Sequence, residues 1–310
     1  MTNNALAEKF LLVSKLEKNL TEKTIKAYRC DLKAFNEFLG SLRIQESNID
    51  NLREYLAHLE QSHLKDSTVR RKLATLKVFY GFLEEEGLIA LSPARKLKKK
   101  YIVTRRLPKV MSKEEIQRLL QATYKAIIDQ KIESEYRTFK LFRDRAILEL
   151  LFSTGMRIDE LSKLNLQDID FSRRTVLIRG KGRKERIIYL SSDEVIHIVK
   201  EYIQYGPANQ NSTPALFLNK FGDRLSVHSI GKIFDNYRTE AGIERKFTPH
   251  CLRHTMATML LENGADVRSV QEILGHSQIS TTEIYLSVSK HRKQEVLTRF
   301  NQRNNLCFSS

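Results

Sequence analysis

Apolar side chains recur at spacings of three and four in two stretches of the first hundred residues. In TEKTIKAYRCDLKAFNEFL these positions are Ile25, Tyr28, Leu32, Phe35 and Phe38. DSTVRRKLATLKVFYGFLEEEG repeats the pattern from Val69 to Leu83, with Asp66 or Ser67 as the expected N-cap and an end at Gly87. Because this period is typical of helices that bury one face, the first hundred residues are predicted to form a small helical bundle.

The later part of the chain combines helical patterns with one hairpin. FRDRAILELLFSTGMRIDELSKLNL predicts a helix, a turn at 153–155 and a second helix. In RRTVLIRGKGRKERIIYL, Val176 and Ile178 alternate with other residues before a glycine turn, and 187–190 form the returning strand. The rest is expected to be mostly helical, and the polar segment 122–140 predicts no particular structure.

Two features divide the chain. Residues 95–106, RKLKKKYIVTRR, hold seven basic side chains and no acid. Such a run is usually a solvated linker, although it could also lie along a phosphate backbone. Ser112 and Glu115 then have the spacing of a helix capping box. We therefore predict a helical domain over 1–100, a basic linker over 101–107 and a second domain over 108–310, mainly α with a small β-sheet.

Charge is the unusual feature of the composition. The 310 residues carry a formal net charge of +16, which favours binding to a polyanion, most commonly nucleic acid. The sequence has no apolar run near the roughly 18 residues that span a bilayer, and its start lacks the layout of a signal peptide. A cytoplasmic protein without membrane partners is expected. Cys30, Cys251 and Cys307 are too few and too far apart to suggest a disulfide framework or a thiolate zinc module.

Two short motifs place basic side chains at turns. In TGMRIDEL, Arg157 follows a glycine turn, and Glu160 lies one helical turn later, where it could buttress the guanidinium. The alternative is a surface ion pair of little energetic value. In GKGRKER, Lys181 lies between two glycines at a hairpin tip, where it could reach a ligand or be an ordinary exposed lysine. Arg183, Lys184 and Arg186 are further candidates for phosphate contacts.

A third motif, TPHCLRHTMATML, places two histidines and an arginine on one helix. His250 and His254 could bind a metal together with His276. The stretch lacks the glutamate of the His-Glu-x-x-His motif, however, and Arg253 would repel a cation. An anion site is favoured, because an arginine fork matches two phosphate oxygens and histidine exchanges protons near neutral pH.

A tyrosine completes the set of candidates. In LGHSQISTTEIYL, Ser280 and Glu283 have capping-box spacing, so Tyr285 is expected in the first two turns of a helix, nine residues after His276. A lone tyrosine is more often a core aromatic than a nucleophile. Here it accompanies arginines, histidines and a lysine without evident metal carboxylates, a combination that favours phosphoryl transfer to an amino-acid side chain.

Each candidate has a role in that chemistry. Arg157 and Arg253 would stabilise the charge that grows on the phosphate oxygens. A phenol is mostly protonated near neutral pH and needs a base, for which His250 is the candidate. Lys181 would protonate the departing 5′ oxygen. His276 would hydrogen-bond the phosphate or position the nucleophile.

These motifs together resemble the tyrosine recombinase (phage integrase) family, especially the Xer recombinases and compact integrases, in family order over nearly the whole chain. The resemblance implies a helical SAM-like N-terminal domain and a mixed catalytic domain that close on double-stranded DNA as a C-shaped clamp. Four protomers, identical or shared with a related recombinase, would hold two duplexes. The residues implied at the scissile phosphate are Arg157, Lys181, His250, Arg253 and His276, with Tyr285 as the nucleophile.

The resemblance also implies a reaction. A 3′-phosphotyrosine bond would form, and the released 5′ hydroxyl would attack the partner phosphotyrosine through a Holliday junction, without ATP, metal or other cofactor. The role would be chromosome dimer resolution or integration, excision or inversion of a mobile element. The segment after Tyr285 would dock into a neighbouring protomer. The candidates for DNA-backbone contacts are Lys98, Lys99, Lys100, Arg105, Arg106, Arg183, Lys184 and Arg186.

Two departures from the family pattern concern the subfamily. Segment 122–140 is longer and more polar than in a minimal Xer protein, and Arg183 stands where asparagine is common.

Three alternatives remain open from the sequence. They are a non-catalytic DNA-binding regulator with the same clamp, a type IB topoisomerase and a metal-dependent hydrolase.

Overall fold

The computed structural model describes residues 1–18, 20–97, 109–128, 134–180, 185–206 and 213–275. The chain divides into two compact units, residues 1–105 and 106–310. The expected linker, 101–107, lies outside the described residues, so the proposed domain limits stay a prediction.

The first unit is a bundle of four α-helices, as its apolar periodicity predicts. They are α1 (Asn3–Leu16), α2 (Glu22–Leu39), α3 (Ile49–Gln61) and α4 (Asp66–Glu85), with short 3₁₀ turns at Ile44–Glu46 and Pro93–Lys96. Aromatic side chains fill the core: the ring of Phe10 lies 5.2 Å from that of Phe79, and the ring of Phe35 lies 4.9 Å from that of Tyr55. Such edge-on contacts add specificity to apolar burial.

The start of α4 differs from the expectation. Its N-cap is Lys65, which makes no side-chain capping bond, and Asp66 is already the first helical residue. The carboxylate of Asp66 therefore lies in the first turn, where the helix dipole favours negative charge without a capping bond. The predicted cap at Asp66 or Ser67 is wrong by one or two residues.

The second unit is mostly helical with a small sheet, which confirms the predicted fold class. Its elements are α5 (Lys113–Ile128), α6 (Glu135–Thr154), α7 (Ile158–Lys163), a 3₁₀ turn (Leu166–Asp168), β1 (Ile169–Asp170), β2 (Thr175–Arg179), β3 (Glu185–Tyr189), α8 (Asp193–Gln204), α9 (Val227–Glu240), α10 (Pro249–Glu262) and α11 (Val267–Leu274). The sheet is antiparallel in the order β1-β2-β3. The two-residue strand β1 was not predicted, because two residues are too short to show alternation.

Three local predictions in this unit are confirmed. The hairpin strands pair with Val176 opposite Ile188. The Ser112–Glu115 capping box is formed, since the Ser112 N–H donates to Glu115 Oε2 at 2.8 Å and the Glu115 N–H donates to Ser112 Oγ at 3.2 Å. A turn separates α6 from α7, although it begins at Gly155 and not at the predicted residue 153, because Ser153 and Thr154 still belong to α6. The segment 122–140, for which the sequence predicts no particular structure, is helical in α5 and α6, on either side of 129–133.

Helix α6 forms the centre of the second unit and packs against α5, α8 and α10. Its residues are buried on several sides, including Arg143, which forms an ion pair with Asp144 at 2.7 Å. The C-terminal end of α6 is therefore held inside the unit, next to the turn that carries Arg157. Within the described ranges, no helix is both long and apolar enough to cross a membrane.

Candidate active site

The turn between α6 and α7 presents Arg157. Helix α6 ends at Gly155, which has φ +61° and donates its N–H to the Leu151 carbonyl at 3.1 Å. A left-handed residue reverses the chain direction there. Arg157 follows in an extended conformation as the N-cap of α7, with 37% of its side chain exposed. Its guanidinium therefore reaches the protein surface from a fixed backbone.

Glu160 buttresses Arg157, which is the first of the two alternatives that the motif TGMRIDEL left open. Its Oε1 accepts a hydrogen bond from Arg157 Nη1 at 2.9 Å, and its Oε2 accepts one from the Arg157 backbone N–H at 2.8 Å. The Glu160 side chain is only 5% exposed. Because this carboxylate is buried, the ion pair between Arg157 and Glu160 is not an exposed one that contributes little to stability.

Arg186 on β3 is a second partner of the same carboxylate. Its Nη1 and Nη2 donate to Glu160 Oε1 and Oε2 at 3.0 and 2.8 Å. Burial alone would raise the pKa of Glu160, but the bonds from Arg186 and the Arg157 backbone, together with both guanidinium charges, lower that pKa to about 2. Glu160 is therefore ionised at neutral pH and faces two cations.

Arg253 on α10 is almost fully buried, at 3% exposure. Its Nη1 donates to the Gly155 carbonyl at 2.7 Å, and its Nη2 donates to the Leu274 carbonyl at 2.6 Å. These carbonyls end α6 and α11, where helix dipoles favour a cation. Arg253 thereby joins the turn before Arg157 to the end of α11.

The two histidines of α10 differ in environment. Pro249 is the first residue of the helix, and His250 is an exposed residue beside it. His254 is half-buried, and burial with the charges of His250 and Arg253 lowers the pKa of His254 to about 4. His254 is thus neutral at pH 7, while His250 is accessible to a ligand.

Three of the six candidate catalytic residues, Arg157, His250 and Arg253, are described. Lys181, His276 and Tyr285 lie outside the described residues, although Gly180 and Gly275 directly before the first two are described. Lys98, Lys99, Lys100, Arg105, Arg106, Arg183 and Lys184 also lie outside them, as do Ser280 and Glu283. Within the described ranges, no group of three His, Cys, Asp or Glu side chains is placed to hold a metal ion.

The contacts of Arg186 differ from the expectation, which grouped it with Arg183 and Lys184 as a candidate for phosphate binding. Arg186 lies opposite Ile178 on β2, two residues before buried Ile188. Since alternate strand residues share a face, this spacing was the available signal that Arg186 points inward. Its bond to Glu160, 26 residues earlier, has no comparable signal in the sequence.

Comparison with known sequences identifies the class of protein. The profile of the phage integrase family matches residues 109–292, and that of the phage integrase N-terminal SAM-like domain matches residues 7–87. The chain belongs to the phage integrase family and is a tyrosine recombinase of the Xer type, an enzyme. The predicted resemblance is confirmed.

Two similar proteins cover nearly the same length. Tyrosine recombinase XerD of Staphylococcus epidermidis is 38% identical over 97% of this chain and 99% of its own. Tyrosine recombinase XerC of Leptospira interrogans is 37% identical over 94% of this chain and 92% of its own. The likeness therefore extends through both units.

Solved structures show the same fold. XerH site-specific recombinase bound to palindromic difH substrate gives a TM-score of 0.74 at 24% identity, over 97% of this chain and 85% of that chain. A lambda integrase tetramer bound to a Holliday junction gives 0.69 at 16% identity, over 92% of this chain and 77% of that chain. At these identities the likeness concerns the fold alone.

Proposed function

We propose that this protein binds double-stranded DNA and recombines it at a specific site, using Tyr285 as the nucleophile. One observation carries the proposal: two arginines tie together the four sequence motifs. Arg253 bonds the Gly155 and Leu274 carbonyls, and Arg186 bonds Glu160 and the Ile273 carbonyl. Strand β3, which follows Lys181 in the chain, and the end of α11, which precedes His276, are thus linked to the elements that carry Arg157 and His250.

Arg157 and Arg253 would stabilise the phosphate under attack. A phosphodiester gathers negative charge on its non-bridging oxygens in the transition state, and preorganised donors are most effective where charge develops. Arg157 is fixed by Glu160 and partly exposed, which suits this role. Arg253 is held between two carbonyls, so its position is fixed before the substrate arrives.

The remaining candidates would move protons. The Tyr285 hydroxyl would attack phosphorus and give its proton to His250 as the P–O5′ bond breaks. Lys181 would protonate the departing O5′, and His276 would hydrogen-bond the phosphate. The phosphodiester bond is replaced by a 3′-phosphotyrosine bond, so its energy is retained. A 5′ hydroxyl from the partner strand then reverses the step, and Tyr285 is released without ATP or metal.

Recombination needs two duplexes. We propose that four protomers, identical or shared with a related recombinase, exchange strands in two steps through a Holliday junction. The two units of each protomer would close around DNA as a C-shaped clamp, and the segment after Tyr285 would dock into a neighbouring protomer. The net charge of +16 supports DNA binding. Chromosome dimer resolution, or integration, excision or inversion of a mobile element, is the proposed role.

Backbone contacts are proposed for basic residues of the segment 98–106 and of the motif GKGRKER. Phosphate contacts fix the position of a protein on the duplex without reading its sequence. The proposed residues are Lys98, Lys99, Lys100, Arg105, Arg106, Arg183 and Lys184.

Capture of covalent adducts tests the chemistry directly. Purified protein in EDTA is mixed with sheared DNA of the source genome and denatured with detergent, and the ends of the protein-linked fragments are sequenced. We expect wild-type adducts at one defined sequence and none with Tyr285→Phe. Absence of wild-type adducts despite DNA binding would contradict the proposal and favour a non-catalytic regulator. Adducts that require a divalent metal would favour metal-dependent chemistry.

A plasmid with two copies of the captured site separates recombination from relaxation. We expect deletion or inversion products from wild-type protein and none from Tyr285→Phe. Relaxed plasmid without recombinant product would instead identify a topoisomerase.

A further inference from the structure

The side chain of Arg186 points into the second unit. It lies on β3 opposite Ile178 of β2 and is only 13% exposed. A buried guanidinium is costly unless its charge and its donors are satisfied. The partners of Arg186 therefore indicate why an arginine occupies this inward position.

All three guanidinium nitrogens of Arg186 donate to protein acceptors. Two donate to Glu160, one to each carboxylate oxygen, and Nε donates to the Ile273 carbonyl at 3.0 Å. The paired bonds to Glu160 match the fork of the guanidinium to the carboxylate. Contact with a DNA phosphate would have to disturb this arrangement.

The pairing of Arg186 with Glu160 determines how strongly Glu160 neutralises the positive charge of Arg157. Glu160 carries one negative charge and faces both guanidinium groups. The Arg186 side chain donates to both carboxylate oxygens, whereas the Arg157 side chain donates to Glu160 through Nη1. Without Arg186, Glu160 would neutralise Arg157 alone, and Arg157 would stabilise a phosphate less.

Arg186 also fixes the end of α11. Beyond its bond to Ile273, it packs against Gly275, where an added Cβ would lie 3.0 Å from Arg186 Cδ and 3.1 Å from Nη1. Gly275 also has φ +65°, a conformation that favours glycine. Strand β3 and the chain immediately before His276 are thus in contact through one side chain.

We infer that Arg186 is a positioning residue for DNA cleavage. By neutralising Glu160 it leaves the positive charge of Arg157 available to the phosphate, and it also holds the end of α11 in place. This inference rests on the proposed function. Arg186 acts through Glu160 and α11 and does not itself contact DNA. Loss of comparable outer partners of a reactive site costs about 10–100-fold in activity.

The test uses the full chain and a duplex that carries the captured cleavage site. Covalent-complex formation is measured in a single turnover, and DNA affinity is measured over a range of salt concentrations, for wild type, Arg186→Gln, Arg186→Lys and the double variant Glu160→Gln/Arg186→Gln. Arg174→Gln is the matched control, because Arg174 lies at the opposite end of the hairpin and bonds the Leu190 and Ser191 carbonyls and Asp193. Its cleavage rate should equal that of wild type.

We expect Arg186→Gln to slow cleavage about 10–100-fold while the salt dependence of binding is unchanged. The double variant should cleave faster than Arg186→Gln, because it also removes the charge that neutralises Arg157. If Arg186→Gln slowed cleavage only through a general loss of stability, the added Glu160→Gln substitution would not restore the rate. If Arg186→Gln does not fold, Arg186→Lys decides, since it keeps the charge but loses the fork and should cleave about tenfold more slowly.

Three results would overturn the inference. The first is a wild-type cleavage rate in Arg186→Gln or, where that variant does not fold, in Arg186→Lys. The second is a double variant that cleaves no faster than Arg186→Gln. The third is a salt slope of DNA binding that Arg186→Gln reduces by about one, which marks a lost phosphate contact. No adduct from wild-type protein would instead refute the proposed function, so the two failures are distinguishable.

Discussion

Gly155→Ala tests how closely α6, α10 and α11 meet beside Arg157. Gly155 has φ +61°, which costs a residue with a Cβ about 1–2 kcal/mol. The new Cβ would lie 2.9 Å from Leu274 Cδ2 and 3.1 Å from Met256 Sδ. Both distances are shorter than the roughly 3.5–4.0 Å of a favourable carbon contact, so the side chains of Leu274 and Met256 must move.

The structure offers a control that separates the backbone cost from the steric cost. Overpacking a core costs about 1–3 kcal/mol, so the total for Gly155→Ala is about 2–5 kcal/mol. Gly242 has φ +65°, but a Cβ added there would meet nothing within 4 Å. Gly242→Ala should therefore show the backbone cost alone, about 1–2 kcal/mol.

Hydrogen exchange of the full chain, read by mass spectrometry, is the suitable assay. The two units need not unfold together, so a single global transition does not yield one free energy. The slowest amides of α10 report the opening of the second unit, and those of α2 in the first unit serve as an internal reference. A difference of about 2 kcal/mol between the variants corresponds to roughly 30-fold faster exchange in α10.

The comparison between the two alanine variants decides the outcome. Equal acceleration of α10 exchange in Gly155→Ala and Gly242→Ala would refute the close contact with Leu274 and Met256. If the contact is as described, Gly155→Ala should also slow cleavage, because the Gly155 carbonyl accepts a bond from Arg253.

Three further outcomes are expected. Glu160 has its pKa lowered to about 2, so it adds stability above about pH 4.5 that is lost as pH falls toward 2. Glu160→Gln should remove up to about 3 kcal/mol of this acid dependence, measured from the hydrogen exchange of α10 against that of α2 over a pH series, and identical pH curves would contradict it. Lys181→Ala should cleave normal DNA slowly but recover on a duplex whose 5′ leaving oxygen is replaced by sulfur, which needs no proton to depart; no recovery would argue against Lys181 as the acid. Deletion from Lys293 onward should abolish synapsis in gel-shift assays, and intact synapsis and cleavage would refute the docking tail.

Local regularities in the sequence predicted the elements well. The apolar spacing of Ile25, Leu32 and Phe35 marks the buried face of α2, and glycine at 155 marks the end of α6. The capping box at Ser112 predicted the start of α5. These signals were available because helix period, left-handed caps and capping bonds all join residues a few positions apart.

The contacts that assemble the site could not be predicted in this way, because they join distant residues. Arg253 bonds a carbonyl 98 residues earlier and another 21 residues later, and Arg186 bonds a carbonyl 87 residues later. Backbone carbonyls carry no residue identity, so no pattern of residue types distinguishes these acceptors. The sequence showed which residue types were present, whereas tertiary packing decides which backbone carbonyls each arginine bonds.

The two arginines converge on the same end of α11. Arg186 bonds the carbonyl of Ile273 and Arg253 bonds that of Leu274, while both also hold the elements that flank Arg157. A displacement of α11 would therefore weaken both bonds at once and disturb Glu160 and the Gly155 turn together. The described chain that ends at Gly275, directly before His276 in the sequence, is thus in contact with Arg253, one of the two arginines proposed to bind the phosphate. Under the proposed function, cleavage competence then depends on α11 being in place, and any event that shifts this helix should change the cleavage rate more than it changes DNA affinity.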